Sequence, residues 1–129
     1  MIHVVAGIIN KNGKILICQR GEGGVCANLW EFPGGKLEAG ETVKECLIRE
    51  CKEELDVEIE IKGLFTESTY KYPKIEIYFT FFSGEIIRGK PKRKVHKDIR
   101  WIVAKELKKY KFCPANKEVI KKLETGNTY

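Results

Sequence analysis

One stretch of this 129-residue chain constrains its fold more than any other, the segment from Thr42 to Leu55. Thr42 precedes Glu45 by three residues, the spacing of a capping box in which two orphan N–H groups are satisfied reciprocally. Behind it, Val43, Leu47, Ile48, Cys51 and Leu55 fall on one arc at about 100° per residue. The spacing predicts an amphipathic helix over 42–55 with one face against a core. The opposite face is unusual. Glu50, Glu53 and Glu54 stand at i, i+3 and i+4, so three carboxylates share one patch about a turn high.

The segments around this helix read mostly as strands. Residues 4–9 and 14–18 are short apolar runs separated by Asn12-Gly13, the strongest short hairpin signal. Gly21-Glu22-Gly23-Gly24 marks a loop, and 29–32 has strand character that Pro33-Gly34-Gly35 is expected to stop. Residues 57–61 alternate apolar and acidic, 75–82 are rich in aromatic and β-branched types, and 99–103 contain Trp101. Residues 104–109 and 116–123 read as short helices, the second following Pro114. Strands and helices mix without strict βαβ alternation. The expectation is one α/β (α+β) domain over 1–129, a mixed β-sheet with helices packed on it.

Composition narrows the setting. With 43% hydrophobic and 33% charged residues the chain matches ordinary soluble proteins, and no apolar run approaches the ~20 residues of a membrane span. Met1-Ile2-His3-Val4-Val5 lacks the basic start of a signal peptide, so a cytoplasmic protein is expected. Five cysteines, none in C-x-x-C spacing, with His3 and His96 far apart, argue for reduced structural thiols rather than zinc. Residues 1–64 carry 8 basic and 11 acidic side chains, whereas 65–129 carry 16 and 7, within a net charge of +6. Such a positive half favours polyanions such as nucleotides. Its densest run, Arg88 to Lys97, also fits a solvated loop.

Three crowded carboxylates repel one another unless a cation fills the space between them. Hard oxygen donors at this density suit Mg²⁺, with Mn²⁺ also accommodated. Neighbouring Lys44, Arg49 and Lys52 could neutralise the face instead. The segment before the helix favours the metal reading. Phe32-Pro33-Gly34-Gly35-Lys36 places two glycines where backbone must approach a ligand closely, and Glu41 can reach Arg49 along the helix side.

These residues resemble the Nudix family, whose signature is G-x5-E-x7-R-E-U-x-E-E-x-G-U, with U a bulky aliphatic residue. Gly35, Glu41, Arg49, Glu50, Glu53, Glu54 and Val57 match it in register. Cys51 stands at an aliphatic position, and Asp56 replaces the glycine after the helix, where a left-handed residue is expected and Asp is tolerated. The likeness continues through Gln19-Arg20, 29–36, Trp101 and Pro114-Ala115-Asn116-Lys117, features of the MutT-type branch.

The resemblance implies an α/β/α sandwich and hydrolysis of nucleoside triphosphates, above all 8-oxo-dGTP, to monophosphate and pyrophosphate. It implies metal ligands at Gly34, Glu50, Glu53 and Glu54, with Arg49 orienting the glutamates, and among these Glu53 is the residue expected to activate water. Arg20, Phe32, Lys36 and Asn116 become the substrate-binding residues, with Asn116 also placed to cap the last helix. No membrane and no specific nucleic acid are expected as partners. A pyrimidine nucleotide such as CTP or dCTP is the alternative substrate, and a non-catalytic nucleotide- or nucleic-acid-binding module is the alternative of another class. One position departs from the family. Where a glutamate commonly stands six residues before the tryptophan, this chain has Val95, so His96 or Asp98 must substitute or the helix glutamates must suffice, with His96 otherwise a surface residue.

Overall fold

In the computed structural model, which describes residues 1–126, the sheet is mixed and covered on both faces. Strands β1 (Ile2–Lys11) and β2 (Lys14–Gln19) form the expected hairpin, with Asn12 at φ 51° and Gly13 at φ 77° in its turn. Both positive angles are what a two-residue primed turn requires, hence Asn-Gly. The two strands carry unbroken runs of buried residues rather than alternating ones, as befits strands with protein on both sides.

Strand β3 (Trp30–Glu31) pairs with β2, and β4 (Gly34–Lys36) pairs antiparallel with β1. Pro33-Gly34-Gly35 therefore interrupts the chain's strand character without ending it. Helix α1 (Val43–Leu55) begins at Thr42, whose Oγ1 accepts from Glu45 N at 3.1 Å while Glu45 Oε1 accepts from Thr42 N at 2.8 Å. It ends at Asp56, left-handed at φ 57° and bound to Lys52 and Lys92, so Asp serves where the family uses glycine. The arc is turned slightly from expectation. Cys46, Leu47, Cys51 and Leu55 are buried, whereas Ile48 is exposed.

Strands β5 (Glu58–Tyr72) and β6 (Ile75–Arg88) form a hairpin far longer than the two short runs expected. Polar residues hide the extension, because the outer part of β5 is largely solvated and gains its order from pairing with β6. Strand β6 lies parallel to β1, and β7 (Asp98–Ile102) pairs with β2, giving the order β3-β2-β1-β6-β5 with β4 on β1 and β7 on β2. A 3₁₀ segment (Ala104–Lys109), a 3₁₀ turn (Pro114–Asn116) and α2 (Lys117–Glu124) close the chain.

Two cores result. Val5, Ile9, Leu16 and Cys18 pack against Cys46, Leu47 and Cys51 of α1. Ala6, Ile8, Ile15 and Ile17, on the alternate face, pack with Phe81, Leu107, Val119 and Leu123 under α2. This is the α/β/α sandwich the resemblance implied. All five cysteines are buried free thiols, as expected. No helix among the described residues is long and apolar enough to cross a membrane.

Candidate active site

Arg49 organises the carboxylate face of α1. Its Nε and Nη2 donate to the two oxygens of Glu41 at 2.9 and 2.8 Å, a bidentate pair. Its Nη1 donates to Glu50 at 2.8 Å and Glu53 at 3.0 Å, and Nη2 also reaches the Lys36 carbonyl at 3.2 Å. The hydrogen bond from Arg49 holds the Glu41 carboxyl down to about 2, and that same contact raises the guanidinium. The eight-residue spacing of Glu41 and Arg49 thus works as expected, and Arg49 ties two of the three patch glutamates to the β4 loop.

The two glycines are close to the protein itself. A Cβ on Gly34 would fall 2.1 Å from the Val5 carbonyl oxygen and 2.6 Å from Ala6 Cα, so Gly34 lies against the backbone of β1. A Cβ on Gly35 would fall 2.3 Å from Glu50 Oε2. The chain needs glycine here to seat β4 on β1 and to leave room for the Glu50 carboxylate.

Glu54 is the most perturbed carboxyl of the group. Its Oε1 is buried and has no hydrogen-bond partner among the described residues. Burial first, then the charges of Glu50 and Glu31, push its pKa up to about 8. Glu31, on β3, is the carboxylate that the sequence did not single out. Its oxygens face Arg20 Nη1 at 3.2 Å and His96 Nε2 at 3.5 Å, and His96 Nε2 lies 4.0 Å from Glu54 Oε1.

His96 is therefore no surface histidine. Its side chain is 4% exposed and its Nδ1 has no partner among the described residues. Val95 beside it is 60% exposed, and Asp98 spends its carboxylate on Ile99 N at 2.9 Å and Arg100 Nε at 3.0 Å. Of the substitutes for the absent glutamate, the loop turns His96 inward and Asp98 away.

A second wall is built by the segment before α2. Trp30 N donates to Lys111 O at 2.8 Å and Cys113 N to Trp30 O at 2.9 Å, so residues 111–113 lie along β3. Phe32 is buried, with its ring stacked on Phe112 at 5.4 Å and edge-on to Phe81 at 6.4 Å. Phe112, half-buried, is the outer ring of the pair, and its place in a lysine-rich stretch gave no sign of this. Asn116 stands at the start of α2, but its side chain makes no capping bond; Nδ2 reaches Cys113 O at 3.5 Å. Arg20 is substantially exposed, and the exposed Lys36 makes no ion pair among the described residues.

Among the described residues no group of three His, Cys, Asp or Glu side chains converges as a ready-made metal site. The guanidinium of Arg49 lies between Glu50 and Glu53 instead. The donor set nonetheless suits a hard divalent cation. An orphaned buried carboxylate oxygen, with the carboxylates of Glu50, Glu31 and Glu53 raising its pKa, is the environment that a cation relieves.

Fold and site together define a hydrolase class. The chain matches the NUDIX domain model over residues 4–122 and belongs to the Nudix hydrolase family. It is 36% identical over 124 residues to the 8-oxo-dGTP diphosphatase of Escherichia coli (strain K12), covering 95% of this chain and 96% of that one. To the CTP pyrophosphohydrolase of the same organism it is 33% identical over 116 residues, covering 90% and 86%. The solved structure of MutT, a Nudix hydrolase from methicillin-resistant Staphylococcus aureus 252, superposes with a TM-score of 0.78 at 33% identity, covering 98% and 97%.

Proposed function

We propose that this chain is a nucleoside triphosphate pyrophosphohydrolase of MutT type, taking 8-oxo-dGTP and water to 8-oxo-dGMP and pyrophosphate. The observation that carries the reading is the buried, unpartnered Glu54 oxygen beside Glu50 and Glu31, next to a helix face that Arg49 holds in place. Glu50, Glu53 and Glu54, with the Gly34 carbonyl, would hold Mg²⁺ or Mn²⁺. Such an ion supplies charge neutralisation at the phosphates and a bound water of lowered pKa.

The remaining work falls to the chain's own side chains. Arg49 fixes Glu50 and Glu53 and ties them to Glu41, which keeps the patch from spreading under its own repulsion. Glu53, 60% exposed, is the carboxylate with the freest approach to water and takes its proton. His96, beside Val95 where a glutamate would join the metal site or act as base, instead stands between Glu54 and Glu31 and orients them by its position. Lys36 and Arg20 meet the phosphates. Asn116 is buried with Nδ2 donating to Cys113 O, and its amide, not spent on capping, suits the donor and acceptor pattern of a purine, with the half-buried Phe112 rather than the buried Phe32 supplying the ring.

The likeness to a CTP pyrophosphohydrolase keeps CTP and dCTP as the second substrate reading. Pyrophosphate release from 8-oxo-dGTP, dGTP, CTP and dCTP, with Mg²⁺ and with Mn²⁺, decides between them. The expected result is the highest kcat/KM for 8-oxo-dGTP, and a preference for CTP or dCTP would overturn it. Asn116→Asp keeps the side chain's size and loses the amide donor, including the bond from Nδ2 to Cys113 O. A base-reading role predicts that this variant loses its preference for 8-oxo-dGTP over dGTP while activity on dGTP changes little.

A further inference from the structure

At the far end of β1 from the carboxylates, a cleft of about 400 Å³ opens between the β1–β2 turn, the end of β6 and Trp101 of β7. Asn10 lies five residues along β1 from Val5, the residue paired with Gly35, roughly 17 Å away at strand rise. Its floor is stiff. Gly89 is left-handed at φ 94°, with the Asp56 carbonyl 2.9 Å from where a Cβ would stand, and Lys92 N is bonded to Leu55 O at 2.9 Å.

The lining combines three kinds of recognition. Lys11, Arg88 and Lys90 bring positive charge against the single carboxylate of Glu85. Arg88 spends only Nη1, on Glu58, and Lys90 has no ionic partner among the described residues. Trp101, partly exposed, presents an indole with Lys11 Nζ 5.9 Å from a ring centroid. Asn10 lines the cleft with a side-chain amide whose Oδ1 has no hydrogen-bond partner among the described residues. A solvated basic loop does not need the aromatic wall.

We propose that this cleft is a second, non-catalytic binding site for a nucleoside monophosphate. The phosphate meets Lys90 and the free nitrogens of Arg88, and the base stacks on Trp101 in place of the Lys11 ammonium, with the Asn10 side chain beside it. The site is independent of the proposed hydrolysis, since none of its residues belongs to the carboxylate face.

Titration of the ¹⁵N-labelled full chain with AMP, adenosine or inorganic phosphate, in EDTA, tests this. The readout is the indole N–H signal of Trp101, assigned by its loss in Trp101→Phe. A saturable shift is expected at millimolar AMP, with adenosine and inorganic phosphate each at least about tenfold weaker. Lys90→Glu should weaken AMP by about tenfold or more while pyrophosphate release stays at the wild-type rate. No saturable shift, or one unaltered in Lys90→Glu, overturns the site. Inorganic phosphate binding as tightly as AMP overturns the nucleotide assignment and leaves a simple anion site.

Discussion

His96 Nε2 stands 3.5 Å from Glu31 Oε2 and 4.0 Å from Glu54 Oε1, reaching them from a loop whose lysines face water. A buried imidazole within ion-pair distance of two carboxylates biases their placement at little entropic cost, since the ring has no long flexible stem. Without it, Glu54 would keep its burial and lose its nearest polar neighbour from the loop.

His96→Ala should accordingly lower kcat by about 10- to 100-fold, the usual cost of removing a group that orients a metal ligand. His96→Gln keeps a donor at similar reach and should recover part of that loss. Val95→Glu, on an exposed position, should change kcat by no more than about twofold. Steady-state kinetics on all three decide it; a large gain in Val95→Glu with His96→Ala silent would reverse the assignment.

The neighbouring glycines should fail in different ways. In Gly35→Ala the new methyl displaces the end of the Glu50 side chain, which can swing aside, so the fold survives and turnover falls at least about tenfold. In Gly34→Ala the methyl meets the backbone of β1, which cannot move without unpairing β4, so several kcal/mol of stability should be lost. Denaturant midpoints and kcat measured on both variants separate the two. Equal destabilisation would contradict the geometry.

Glu54 gives the pH dependence its sign. Its carboxyl is raised from 4.5 to about 8 in the folded chain, so the folded state holds the proton more tightly than the unfolded state does. The stabilisation is fully present below about 4.5 and is lost as pH rises through about 8, by at most about 1.4 kcal/mol per pH unit. Chemical denaturation in EDTA between pH 5 and 8 should show this decline, and Glu54→Gln should flatten it. Adding Mg²⁺ at pH 7 should restore stability and release protons. Identical slopes in wild type and Glu54→Gln would contradict the assignment.

Much of this was legible because it is local. The capping box, the hairpin turn, the left-handed Asp56 and the i, i+3, i+4 glutamates depend on residues close in the chain, and each is found where the spacing puts it. What was not legible depends on distant partners. The outer half of β5 has no apolar alternation and exists because β6 pairs with it. Glu31, His96 and Phe112 acquire their surroundings only when β3, the basic loop and the segment before α2 come together. An imidazole within a run of lysines gives no hint that it points inward.

The central claim is that charge on the α1 face, rather than shape, drives hydrolysis. Its most direct test is pyrophosphate release from 8-oxo-dGTP at saturating Mg²⁺ by Glu53→Gln and Glu54→Gln, which keep side-chain size and remove the charge. A fall in kcat of at least about 10²-fold is expected in each, the scale of losing a group that acts on the proton or the metal, with the fold intact by circular dichroism. Near wild-type turnover in both variants would contradict it.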